Sequence, residues 1–233
     1  MSRYAFFVAG TDTGVGKTLV TAALLQAAAE RGWSAAGVKP VAAGCDEQDG
    51  MAVNDDALCL QSASTVPLTY EQVNPVALWR PIAPHVAAAE QGLVLDAETL
   101  RAHCQSVATL ADDLLVVEGA GGWLVPLNAD ETLADVCRLL DIPVLLVVGM
   151  KLGCINHALL TARAIVESGV ALAGWVANCI DPDMAAVDEN IAALRQRLPA
   201  AYLGRIEHLG ERLDAAVDSG LINTAWLFDE STH

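Results

Sequence analysis

The run Leu114-Leu115-Val116-Val117 is apolar at every position. A strand with one face in water alternates polar and apolar residues. A strand covered on both faces need not, and that is the pattern of parallel sheets sandwiched by helices. Residues 4–9 and 143–148 have the same character. Helical stretches separate these runs. Residues 17–31 place Leu24, Leu25 and Ala28 on one face and end before Gly32, a stop signal. Further strands are expected at 34–39, 113–118, 171–177 and 201–203. Further helices are expected at 55–61, 84–91, 97–110, 130–140, 154–168 and 184–197, with a weak one towards the C-terminus. Repeated strand–helix alternation implies an α/β fold with a mostly parallel sheet flanked by helices on both faces. No repeat or Pro/Gly-rich linker divides the chain, so residues 1–233 read as a single domain.

The balance of charge excludes several classes of partner. The chain has 233 residues, 13 basic and 29 acidic, giving a net charge of −16. Such a chain lacks the clustered cations needed to bind nucleic acid or anionic membranes non-specifically. With 54% hydrophobic and 18% charged residues, it is not a disordered one. No apolar stretch approaches the ~20 residues of a membrane helix. The apolar run at 4–10 is too short for a signal peptide and has no cleavage-type ending. Six cysteines lie far apart with no C-x-x-C pair. That fits neither a zinc site nor a disulfide framework and suggests a reducing, cytoplasmic setting. Of the 13 basic residues only three are lysines, Lys17, Lys39 and Lys151, each in or beside a glycine-containing segment.

Lys17 belongs to a phosphate-binding pattern. Gly10-Thr11-Asp12-Thr13-Gly14-Val15-Gly16-Lys17-Thr18 joins the first expected strand to the first helix. Glycines let backbone N–H groups turn around a phosphate, and the helix N-terminus adds partial positive charge. The lysine reaches the terminal phosphates, and the hydroxyl after it can ligate Mg²⁺. The strict pattern G-x-x-x-x-G-K-[ST] requires glycine at position 11, but this chain has Thr11, with the glycine displaced to position 10.

Mg²⁺ on nucleotide phosphates usually takes one or two carboxylates. Glu118 closes the 114–117 run and precedes Gly119-Ala120-Gly121-Gly122, at the strand end where α/β proteins bind ligands. Asp56, in Asn54-Asp55-Asp56, reads first as part of a helix cap.

These residues resemble the dethiobiotin synthetase family. The matching segments are 10–18, Lys39-Pro40-Val41-Ala42, Asp56-Ala57-Leu58, Val73-Asn74-Pro75, Pro84-His85, 117–123, Lys151-Leu152-Gly153-Cys154-Ile155-Asn156-His157 and Gly174-Trp175-Val176-Ala177-Asn178. They run in order over residues 3–206, and the displaced glycine is itself the family's form. The chain beyond Leu209 matches poorly, so 210–233 is divergent.

The resemblance implies a homodimeric, Mg²⁺- and ATP-dependent ligase acting on 7,8-diaminononanoate and CO₂. One amine takes up CO₂ as a carbamate. Phosphorylation by ATP makes it a carbamic–phosphoric anhydride, and the second amine closes the cyclic urea of dethiobiotin. It also assigns roles to residues. Lys17 and Thr18 hold phosphate and metal, and Asp56 and Glu118 complete the metal site. This assignment sets the capping reading of Asp56 aside. Lys39 and Lys17 are the catalytic cations. Gly14, Val15, Gly16, Leu19, Gly119, Ala120, Gly121 and Cys179 bind the nucleotide with them. Asn178 would hydrogen-bond adenine, a role its donor-plus-acceptor amide suits. Glu207, His208 and Leu209 neighbour the nucleotide through their backbone. Thr13, Ala43, Leu152, Gly153, Cys154 and Asn156 bind substrate, the last four reaching in from the second subunit. His85 and His157 read as structural, Asn156 as a possible helix cap, and Cys154 is not a nucleophile in this route. Many family members have Glu at position 14, Ser at 43 and Pro at 207. This chain has Gly14, Ala43 and Glu207.

Other readings share the loop. A dimeric ATPase switch of the partition or septum-positioning type carries a signature lysine five residues before Lys17, where this chain has Asp12. A cobyrinate-type amide ligase needs a glutaminase domain for which one α/β unit leaves no room. A small-molecule kinase is left open by the loop itself.

Overall fold

The computed structural model describes residues 2–210 and 219–228. The order is β1 (Tyr4–Gly10), α1 (Lys17–Glu30), β2 (Ala35–Val38), β3 (Val41–Ala43), β4 (Asp46–Gln48), β5 (Met51–Val53), α2 (Asp55–Ala63), α3 (Tyr70–Val73), β6 (Val76–Leu78), α4 (Pro84–Glu90) and α5 (Ala97–Ala108). Then follow β7 (Leu114–Glu118), α6 (Leu133–Leu140), β8 (Val144–Gly149), α7 (Cys154–Glu167), β9 (Leu172–Asn178), α8 (Val187–Arg197), β10 (Ala201–Ile206), a 3₁₀ turn at Ser219–Leu221 and α9 (Thr224–Leu227).

Six strands form the central sheet in the order β10-β9-β8-β1-β7-β2, and every pairing is parallel. β2, β7 and β8 are buried along their whole lengths, as their unbroken apolar runs require. Alternate residues feed two cores. Leu115, Val117, Leu146 and Val148 face one side with residues of α5, α6, α7 and α8. Leu114, Val116, Leu145 and Val147 face the other with α1, α2 and Leu227 of α9. Each such Val or Leu contributes about 1.5–3 kcal/mol of hydrophobic burial. The sheet thus has helices on both faces, as expected.

Parallel pairing fixes the position of the ligand site. β1 lies between β7 and β8, and the chain leaves it through α1 to reach β2 beyond β7. Strand order therefore reverses at β1, the switch point where α/β sheets open a crevice at their carboxyl ends. The residues after β1, β2, β7, β8, β9 and β10 all emerge on that edge, and they include 10–18, Lys39, Glu118, Lys151, Asn178 and 207–209.

Several local expectations are corrected. The helix expected from residue 130 begins at Leu133. Asn128 Oδ1 instead accepts the N–H groups of Asp130 and Glu131 in a turn, and the extended Thr132 donates its N–H to Asp135 Oδ2 at 2.8 Å. The helix expected from 184 begins at Val187, after Ala186 at φ 55°. The last strand runs to Ile206, because β9 offers it pairing through Asn178. The elements β3–β6 and α3 were not expected. β4 and β5 form a hairpin across Asp49-Gly50, both at positive φ, as the tight Asp-Gly turn demands. For the weak C-terminal helix, residues 211–218 lie outside the described residues.

Candidate active site

The phosphate loop takes its shape from two glycines. Gly14 and Gly16 have φ of 71° and 91°, conformations in which a Cβ is strained. A Cβ on Gly16 would also lie 2.1 Å from Asn178 Nδ2. That amide donates to the Val15 carbonyl at 2.8 Å, tying the end of β9 to the loop. Val15 does not face the cleft. Its side chain is buried in the core beneath the loop. Lys17 Nζ spans the site, donating to the carbonyls of Gly121 at 2.8 Å and Asp12 at 3.1 Å. Burial pulls its pKa from 10.5 down to about 8, opposed by the Glu118 carboxylate and reinforced by the Lys39 charge.

Beside the loop lies a cluster of charges. Lys39 Nζ donates to Glu118 Oε1 at 2.7 Å and to Asp56 Oδ2 at 2.8 Å. Thr18 Oγ1 donates to the same Glu118 oxygen at 2.9 Å. Glu118 is fully buried and Lys39 is 4% exposed. Burial would lower the Lys39 pKa, but the Glu118 and Asp56 carboxylates outweigh it and raise it. Burial would raise that of Asp56, but the Lys39 charge outweighs it and lowers it. Lys39 is therefore a firm cation at neutral pH and Asp56 a firm anion. The cap of α2 is supplied by Asn54, whose side chain accepts the Ala57 N–H. Asp56 is left to face Lys39.

This donor set fits Mg²⁺. The Thr18 hydroxyl and the Asp56 and Glu118 carboxylates offer hard oxygens, and the buried Glu118 Oε2 has no hydrogen-bond partner. Among the described residues no cluster of three or more His, Cys, Asp or Glu forms a closed metal cage. An ion that takes one or two carboxylates and completes its shell with phosphate and water suits such a site.

A cavity of about 870 Å³ opens over these groups. Its walls include Thr13, Gly14, Gly16, Lys17, Thr18, Leu19, Lys39, Ala43, Asp56, Glu118, Ala120, Gly121, Asn178, Cys179, His208 and Leu209. Gly119 packs elsewhere: a Cβ there would meet the Phe7 ring at 3.0 Å, so its glycine serves the approach of a core side chain. The Glu207 carboxylate turns to Arg205 at 2.8 Å. The segment after β8 lies outside the cavity of its own chain. Leu152 is 96% exposed, and Gly153 and Asn156 are exposed. Cys154 is buried, with Sγ 4.0 Å from Asn190 Oδ1. Gly153, not Asn156, occupies the cap of α7. His85 is half-buried with Nδ1 unpartnered, and His157 is exposed. Walls that the motifs missed come from Pro81-Ile82-Ala83, Leu124-Val125-Pro126 and Ile180, beside Asn54 and Pro84 of the quoted segments. The prolines flanking these turns were their one sequence signal.

The AAA domain family matches residues 4–214. An ATP-dependent dethiobiotin synthetase of Cellvibrio japonicus is 57% identical over 209 residues, covering 90% of this chain and 91% of the relative. One from Pseudomonas aeruginosa is 53% identical over 217 residues, covering 93% and 95%. The chain belongs to the dethiobiotin synthetase family. Among solved structures, the MinC:MinD cell division complex of Aquifex aeolicus shares the fold at TM-score 0.55 and 17% identity, covering 93% of this chain and 86% of that one. The signal recognition particle receptor FtsY of Elizabethkingia anophelis with GDP does so at 0.55 and 16%, covering 88% and 57%. Those likenesses speak to fold alone. As a dethiobiotin synthetase family member the chain is an ATP-dependent P-loop ligase. No helix among the described residues is long and apolar enough to cross a membrane.

Gly16→Ala combines a strained φ with a clash on Asn178. It is expected to weaken nucleotide binding at least tenfold, by roughly 1.4 kcal/mol or more. Calorimetric titration with ADP reads the loss, and unchanged affinity would show that the loop tolerates a side chain there.

Proposed function

We propose that the chain uses ATP to close the cyclic urea of dethiobiotin from 7,8-diaminononanoate and CO₂, releasing ADP and phosphate. The observation that carries the proposal is the Lys39–Glu118–Asp56–Thr18 cluster beside the phosphate loop. A carbamate is an anion and a poor electrophile. Activating it means bringing its oxygen to a γ-phosphate that is also anionic, so catalysis is chiefly positioning and neutralisation of charge.

In this reading Lys39, charged and aimed between two carboxylates, neutralises the carbamate oxygen and the transferring phosphoryl group. Lys17 neutralises the terminal phosphates. Thr18, Asp56 and Glu118 would hold Mg²⁺, which supplies further charge neutralisation at the phosphates. One amine adds to CO₂ and loses a proton. The carbamate oxygen then takes the γ-phosphoryl group as ADP leaves, and the second amine attacks the carbonyl carbon and expels phosphate. Asn178 spends Nδ2 on Val15, which supports Oδ1 as the acceptor for an adenine amino group. Cys179, His208 and Leu209 line the same end of the cavity.

Thr13 and Ala43 are proposed to contact the diamine. Ala43 offers no hydroxyl, so that contact is either lost or made through water. The exposed Leu152, Gly153 and Asn156, with the buried Cys154, are proposed to complete the site of a second copy in a homodimer. The six cysteines are all free thiols, which supports a cytoplasmic setting. We take 1–233 as one synthetase unit whose partners are small molecules rather than nucleic acid or membrane.

Labelled phosphate should leave γ-labelled ATP only when both diaminononanoate and bicarbonate are present, and brisk release without the diamine would sink the proposal. Lys39→Ala should lower kcat roughly 10²–10³-fold, the usual loss for one charge-stabilising group; near-normal kcat would remove Lys39 from the chemistry. Sedimentation should read a dimer. A fully active monomer would contradict the shared site.

A further inference from the structure

Asp12 is an acidic residue inside a loop that has to receive anions. Its backbone carbonyl accepts from Lys17 Nζ at 3.1 Å, and the next residue, Thr13, lines the cavity. Its side chain is held twice. Oδ1 accepts the Thr13 N–H at 2.8 Å, and Oδ2 accepts from Lys151 Nζ at 3.0 Å. Lys151 opens the segment after β8, where the Cys154 N–H closes a turn on its carbonyl at 3.0 Å. Thr11 ties the loop to β8 just before that segment, donating its N–H to Val147 and accepting from the Gly149 N–H through Oγ1. The phosphate loop and the start of the 151–157 segment are therefore one connected unit.

The ion pair adds little to stability. Its side chains are 44% and 38% exposed, and pairs so exposed are worth little. Its weight lies in where the charge sits. An uncompensated carboxylate in the phosphate loop opposes phosphate binding, because like charges repel over several ångströms even near the surface. Lys151 does not line the cavity, and it meets the phosphate loop through Asp12.

We propose that Lys151 is a positioning residue of the phosphate site: it neutralises Asp12, so that the loop presents its N–H groups and Lys17 without a competing anion. This rests on the nucleotide-binding part of the reading above, and not on the identity of the diamine.

The test is calorimetric titration of the full chain with ADP and Mg²⁺, with no diamine present. Lys151→Met should weaken binding roughly tenfold, since it leaves Asp12 unpaired, while Lys151→Arg should stay within about threefold of wild type. Asp12→Asn removes the anion and should not weaken binding. The double variant Asp12→Asn, Lys151→Met should return to within about threefold of wild type. A lysine that touched phosphate itself would leave the double variant as weak as Lys151→Met. Either that result or wild-type affinity in Lys151→Met overturns the proposal. If Lys151→Met fails to show a native melting transition, the Asp12→Asn and Lys151→Arg values decide: a loss in either one overturns the proposal. A wild-type chain that binds no ADP overturns the nucleotide reading and this inference with it, whereas failure confined to the variants overturns this inference alone.

Discussion

Glu118 ends a strand with its carboxylate wholly inside the protein, and an ion there must be compensated or the fold pays several kcal/mol. The compensation organises the site. Lys39 has to sit at the end of β2, next to β7 in the sheet, for its ammonium to reach Glu118 at 2.7 Å. Thr18 has to sit in the first turn of α1 for its hydroxyl to reach the same oxygen. Asp56 then draws on the second side of Lys39 from α2. Four elements distant in sequence are thus held in register by one buried charge.

The two lysines in the cleft are not equivalent. Lys39 lies against two carboxylates and keeps its proton more firmly than an exposed lysine. Lys17 is held by two carbonyl oxygens, which carry no full charge, and burial leaves its pKa at about 8. In a mildly alkaline medium Lys39 holds its proton while Lys17 begins to release its own. An approaching anion favours the charged form of both.

What the sequence made legible follows from periodicity and from motifs with a backbone mechanism. Unbroken apolar runs at 114–117 and 143–148 marked strands covered on both faces, because a strand with one face in water would alternate and the runs are too short and too β-branched for a helix. The glycines at 14 and 16 marked the loop because its backbone needs positive φ. Three-residue strands such as Val41–Ala43 and Val76–Leu78 are too short for any period to show. The Asp49-Gly50 hairpin did carry a signal, since that dipeptide favours tight turns, but it lies in an acidic, exposed stretch with no apolar alternation beside it. Asp56 was ambiguous because Asn54 and Asp56 are both capping residue types, and only the fold decides which one caps. Gly119 and Gly121 looked alike in sequence. One makes room for Phe7, whereas the other turns at φ 63° and lends its carbonyl to Lys17. The walls at 81–84 and 124–126 come from loops whose position depends on tertiary packing.

The hydrogen bond from Asn178 to Val15 joins two walls of the cleft. One wall is the loop between β1 and α1, the other the end of β9, and they meet across 2.8 Å. A displacement of either wall therefore pulls on the other, so the two form one fixed corner of the cleft and not a pair of surfaces that close separately.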